Sequence, residues 1–237
     1  MNLTIASITL RGLFGRRRFL LLLPLPALLV GLAFLADSLG APAHDWAGPI
    51  IQGLGITVVL PVMALIVGTG VLGSEIDDGT IVHILTKPLP RREIILAKLV
   101  VAAGVTTVVA GVPLFFVGLI AGSAKLGAGL LLGAALGALA YSAIFLAMSL
   151  LTRRPVLVGL AYVLLWEGLL GGLLKGTRLL SVQQHVLAIA DTFSGSDLIT
   201  GSISAPMAVG TALVFAVGGT WLAISRLRSF SVAGETS

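Results

Sequence analysis

The chain contains no cysteine, which excludes disulfides, thiolate catalysis and Cys-ligated metals. It is also poor in charge. Asp, Glu, Lys and Arg make up 11% of its 237 residues, less than half of the roughly 25% usual in soluble domains. A water-soluble fold of this length needs a polar shell that such a sequence cannot supply, so lipid is the solvent around most of its surface. The dipeptide Gly-Lys never occurs. Its absence removes any G-x-x-x-x-G-K-[ST] loop, the Gly-rich turn whose amides and lysine hold nucleotide phosphates. His44, His83 and His185 all fall outside the apolar runs, leaving no buried Ser–His or metal constellation and no reading as an enzyme.

What remains is 57% hydrophobic with a mean hydropathy of +1.09. Thirty glycines fit this picture, because small residues let membrane helices approach closely. The net charge of +5 comes in short runs between apolar stretches, the pattern of membrane-edge charges and not of a nucleic-acid surface. A membrane helix needs about 20 apolar residues. The runs at 19–36, 49–72, 94–121, 126–151, 155–174 and 205–225 each hold one span. The fifth is interrupted only by Glu167 and opens with Pro155, at the first helical position where a missing N–H costs little. The expectation is an all-α integral membrane protein of six spans, a single transmembrane domain over residues 1–237.

Basic loops stay in the cytoplasm. With the N-terminus inside, the inner side receives Arg11, Arg16, Arg17, Arg18, Lys87, Arg91, Arg92, Lys98, Arg153, Arg154, Arg226 and Arg228, and the outer side only Lys125, Lys175 and Arg178. Twelve against three places both ends in the cytoplasm. Arg16-Arg17-Arg18-Phe19-Leu20 resembles a twin-arginine export signal, and Ala41-Pro42-Ala43 a cleavage site. Five further hydrophobic runs follow in place of a mature soluble domain, so the arginines read as the inner anchor of span one. Residues 1–18 read as an interfacial segment, with Leu3, Ile8, Leu10, Leu13 and Phe14 on the apolar side of a short helix.

The longest polar stretch among the inner segments, 73–98, reads GSEIDDGTIVHILTKPLPRREIILAK. Ser74 is a cap candidate, and Glu75, Asp77 and Asp78 fall where acids suit a helix dipole. Ile81, Ile84 and Leu85 share a face, and Pro88 and Pro90 stop the helix. A short amphipathic helix and an ordinary charged loop both remain open on this pattern, since Gly79 weakens regular structure.

Glu167 stands about 18 Å up its span from Pro155, at 1.5 Å per residue, just past the middle of a hydrocarbon core of about 30 Å. A carboxylate there must face the protein interior or a watery cavity, or be protonated. It reads either as part of a substrate path or gate, or as a hydrogen bond tying helix ends together. Gly129, Gly133 and Gly137 line one side of span four, and Gly104, Gly111 and Gly118 one side of span three. Such small-residue faces serve subunit interfaces or intramolecular packing. Pro24, Pro26, Pro61 and Pro113 are expected to kink or loosen their helices. The segment 175–204 is too polar to span, and Val182, Val186, Leu187 and Ile189 mark a short helix at, or dipping into, the outer interface. His185, Asp191 and Asp197 lie in this segment, and His185 and Asp191 lack a recognisable ligand spacing, so no metal is expected.

Glu75, Gly79-Thr80, the Lys87-Pro88 turn, Arg91 and Lys98 occur in an order and spacing that resembles the permease subunits of ATP-binding-cassette transporters, the type-2 exporters above all. The resemblance implies that residues 74–87 form a coupling helix seated on a separate ATPase subunit, with Glu75, Asp78, Gly79, Thr80, Ile81 and Ile84 in contact. It implies re-entrant helices between the last two spans and a permease dimer in the cell inner (plasma) membrane. It also implies export, with ATP and magnesium bound by the partner ATPase and no cofactor in this chain. The Trp166–Glu167 pair is similar to a feature of the family's bacterial branch and is assigned to the substrate path or gate. The alternatives are a secondary carrier, which usually brings several midplane ionisable residues or two related halves, and a non-transporting structural membrane subunit.

Overall fold

The computed structural model describes residues 3–14, 22–77, 90–170, 175–195 and 197–232. Most of these are helical, with no strand among them. Helix α1 is Leu3–Phe14 and α2 is Pro24–Ser38. Helix α3 runs continuously through Ala43–Gly48, Pro49–Val59 and Leu60–Asp77, and α4 through Arg91–Thr106, Thr107–Gly111 and Val112–Ile120. Then come α5 (Ala124–Leu151), α6 (Pro155–Ala161 continued by Tyr162–Leu170), a 3₁₀ turn (Lys175–Leu180), α7 (Val182–Ser194) and α8 (Ala205–Val232).

Among the described residues, four helices are long and apolar enough to cross a bilayer: Ala43–Leu72, Arg91–Ile120, Ala124–Leu151 and Ala205–Arg228. Two shorter apolar helices, Pro24–Ser38 and Pro155–Gly168, occupy the places of the first and fifth expected spans. Residues 19–21 of the first expected span and 171–174 of the fifth lie outside the described residues. The second span begins at Ala43, before the expected residue 49, because Pro42 is extended and Pro49 sits inside the helix.

The prolines act locally. Pro24 and Pro26 open α2 and do not bend a span, and there a missing N–H costs nothing. Pro61 and Pro113 each follow a stretch of π-helix, Pro49–Val59 and Thr107–Gly111. A proline inside an α-helix presses on the carbonyl four residues back, and the wider π turn gives it room. Within the first stretch the Leu60 N–H reaches the Gly55 carbonyl, and the Thr57 hydroxyl donates to the Gln52 carbonyl at 2.8 Å.

Helix α5 is the hub, packed against α3, α4, α6, α7 and α8. Lipid tails are as apolar as leucine, so close packing and not the hydrophobic effect must hold such helices together. The glycines provide it. A Cβ on Gly118 would sit 2.6 Å from the backbone of Gly127, and one on Gly111 3.0 Å from Leu131. Helix α8 contributes a stripe of buried Ala208, Ala212, Ala216 and Ala223, with Gly219 against the Ala143 backbone. Its opposite side exposes Val214, Val217 and Trp221, a surface suited to lipid.

Helix α1 forms as expected. Ala6 and Thr9 are buried, and Leu13 lies against Gly70 of α3, whereas Ile8 and Leu10 are exposed. The small residues win the inward face because they permit close approach to α3 and α4.

Candidate functional site

The site begins with a packing register. Gly129, Gly133 and Gly137 of α5 face Ala190, Val186 and Val186 with Val182 of α7. Four-residue steps in opposite directions mean that the two helices run antiparallel along a groove of glycines. Cβ atoms on Gly129 and Gly133 would lie 2.8 and 2.6 Å from the carbonyl oxygens of Ala190 and Val186. The glycine face of span four therefore serves intramolecular packing.

Gly137 lies thirteen residues into α5, about 20 Å from its start. The N-terminus of α7 is thus carried deep into the bundle. Val182, His185, Val186, Leu187, Ile189 and Ala190 are buried, so this helix dips into the protein and does not lie on its surface.

A buried helix start leaves backbone N–H groups that water cannot reach. Ser181 stands at the cap position but does not cap with its own side chain. Glu167 of α6 does so in its place. One carboxylate oxygen accepts the Val182 N–H at 2.9 Å, and the other accepts the Ser181 hydroxyl at 2.5 Å. The Tyr162 hydroxyl reaches the first oxygen at 3.4 Å. A carboxylate at this place meets both the free donors and the positive end of the helix dipole. Of the two readings of Glu167 left open by the sequence, the geometry realises the tie between helix ends.

The cluster is wider than sequence reasoning found. Both tyrosines of the chain lie at it: Tyr162, and Tyr141 of α5, whose hydroxyl is buried beside Glu167 and Gln183 without a hydrogen-bond partner among the described residues. Tyr141 and Phe145 stack with ring centroids 5.8 Å apart, and Tyr162 meets Phe145 edge-on. The Gln183 side-chain oxygen lies 3.3 Å from the Thr57 hydroxyl of α3, whose proton goes to the Gln52 carbonyl. Spans two, four and five and α7 therefore meet in one buried polar knot. The only available signal was the rarity of tyrosine in the chain and a serine preceding an amphipathic run.

Trp166 turns its indole N–H to the Leu180 carbonyl at 3.2 Å, fastening the 3₁₀ turn to α6. With Ile144, Tyr162, Leu180 and Phe215 it lines an apolar recess of about 370 Å³ beside the knot. His185 sits on the α8 side of α7. Its Nε2 lies 2.9 Å from the Leu179 carbonyl and 2.7 Å from the Thr211 hydroxyl, and its Nδ1 is buried without a partner among the described residues. A charged imidazolium would need acceptors for both N–H groups, so this arrangement holds the neutral ring. Asp191 accepts the Gly201 N–H at 2.8 Å and closes the turn after α7, where Gly195 takes the left-handed conformation with φ 55°.

At the other end of the bundle, Lys98 is buried and donates to the Val71 carbonyl of α3 at 2.6 Å. The residue counted in the sequence as a loop charge thus joins spans two and three at the root of the segment between them. Of the residues assigned to ATPase coupling, Glu75 lies in the last turns of α3, its side chain outside the described residues. Asp78, Gly79, Thr80, Ile81 and Ile84 all lie outside the described residues.

No curated protein matches this chain. A family model described as "ABC-2 family transporter protein" matches residues 16–189, a stretch that takes in the segment between spans two and three, Glu167 and the deep half of α7. The match covers nearly three quarters of the chain, and the chain therefore belongs to the ABC-2 transporter family of multi-pass membrane transport components.

Proposed function

We propose that the chain is the permease subunit of an ABC exporter, forming a substrate path as a dimer and driven by a separate ATPase. In this reading it crosses the cell inner (plasma) membrane six times with both ends in the cytoplasm, and residues 74–87 form a coupling segment whose first four residues extend α3. The observation that carries the reading is the family match across 16–189. The missing Gly-Lys dipeptide supports it, because an energised transporter built on this chain must borrow its nucleotide site.

The geometry supports a route for the coupling. Push on the 74–87 segment would enter α3 and α4, which Lys98 holds together at their shared root. Helix α3 leads to the polar knot through Thr57, and Glu167 there holds the start of α7. Trp166 and Glu167 thus act as the gate's fastening, setting where α7 sits relative to α6, and substrate passes beside them.

The test uses the permease with its native ATPase in vesicles. Charge reversal Glu75→Lys together with Gly79→Trp should leave the permease in the membrane but abolish transport-coupled ATP hydrolysis or co-purification of the ATPase. Unchanged coupling in that variant would contradict the assignment of the segment.

A further inference from the structure

A groove of about 490 Å³ runs between α1 and α4, lined by Ala6, Leu10, Val100, Gly104, Val105 and Val108 among others. Its wall is almost purely aliphatic and includes no aromatic ring. Val100 and Val108 are 48% and 62% exposed there. Val100 and Val109 lie nine and eighteen residues beyond Arg91, the start of α4. That puts the α4 wall of the groove about 13–27 Å along a membrane-crossing helix. A void with no polar lining does not hold water.

Gly104 lines the groove. Gly111 and Gly118, its heptad mates, press against Leu131 and Gly127, but a Cβ on Gly104 would meet nothing within 4 Å. Gly104 thus leaves the trough open where a side chain would narrow it. Arg11 follows Leu10 directly on α1 and is exposed, so a positive charge stands beside an aliphatic trough. An aliphatic chain attached to a negative headgroup matches both features. We propose that this groove holds an acyl chain of an anionic phospholipid, with its headgroup phosphate facing Arg11. The bound chain would seat α1 against the third span.

The experiment uses full-length protein in nanodiscs made with phosphatidylglycerol carrying a mid-chain diazirine, with cross-links mapped by mass spectrometry. Label should concentrate on peptides carrying Ala6, Leu10 and Val100–Val109. A Cβ at Gly104 meets nothing within 4 Å, so Gly104→Leu has room to enter the trough and should reduce that label roughly tenfold with no loss of thermal stability. Val108→Phe serves the same purpose if the leucine variant fails to fold. Arg11→Gln should abolish the preference for labelled phosphatidylglycerol over labelled phosphatidylcholine.

Label spread evenly over other lipid-facing positions such as Leu164 and Val214, and indifferent to Gly104, would overturn the proposal. Exclusion of label from the wild-type groove would also overturn it, since a second copy or another part of the chain would then fill the space. A headgroup preference unchanged by Arg11→Gln would overturn the assignment of an anionic lipid.

Discussion

Glu167→Gln keeps the shape of the clasp and removes its charge. The amide oxygen still accepts the Val182 N–H, but the charge-assisted bonds weaken, and a loss of about 1–2 kcal/mol is expected. Glu167→Lys instead sets a cation against the positive end of a buried helix and removes the acceptor for three donors. Its yield of folded protein should fall sharply while the glutamine variant remains purifiable, as read by fluorescence-detected gel filtration and melting in detergent. A lysine variant as stable as wild type would mean that the carboxylate does not hold α7. At this scale the sequence marked Glu167 by its isolation but not its partners. Ser181 and Val182 are 14 and 15 residues away across a turn, and no periodicity crosses a turn. Lys98 shows the reverse error. It reads as a membrane-edge charge, yet it falls among buried Ile94, Ile95 and Leu99 on the inner face of α4, a pattern that could have revealed it.

Among whole elements, the glycine groove of α5 determines where α7 lies. Gly133→Leu drives a side chain into the Val186 carbonyl, a backbone atom that cannot move without moving the helix. Overpacking of this kind costs about 1–3 kcal/mol, and displacement of α7 would add the loss of its cap. Gly210→Leu, a position with open space around it, should be nearly neutral. Parallel melting curves of the two variants check this, and equal curves would show that α7 does not depend on the groove. The four-residue glycine spacing was visible in the sequence, as was the short helix after span five. Which helix filled the groove was not, because small-residue faces carry no address. The π-helical stretches were also hidden, since a widened turn leaves composition unchanged and only the nearby prolines hint at it.

For the whole molecule, the basic residues predict an orientation that the cysteine-free chain lets one measure directly. Single cysteines at Ser38 and Ser202 should react with an impermeant thiol reagent in intact cells, and cysteines at Thr86 and Thr152 only after lysis. Labelling of Thr86→Cys from outside would reverse the topology and detach the 74–87 segment from any cytoplasmic ATPase. The membrane class was legible at once, because so little charge cannot clothe a soluble surface. The family was legible from a few spaced residues around 75–98. The central claim, that this chain is a permease driven by a borrowed ATPase, is tested most directly by purifying it from its native host under mild detergent, identifying what accompanies it and reconstituting the complex. The account predicts an ATP-binding-cassette ATPase in the preparation and transport that stops when ATP is withheld. Active transport by the chain alone, powered by an ion gradient with no ATPase present, would contradict it.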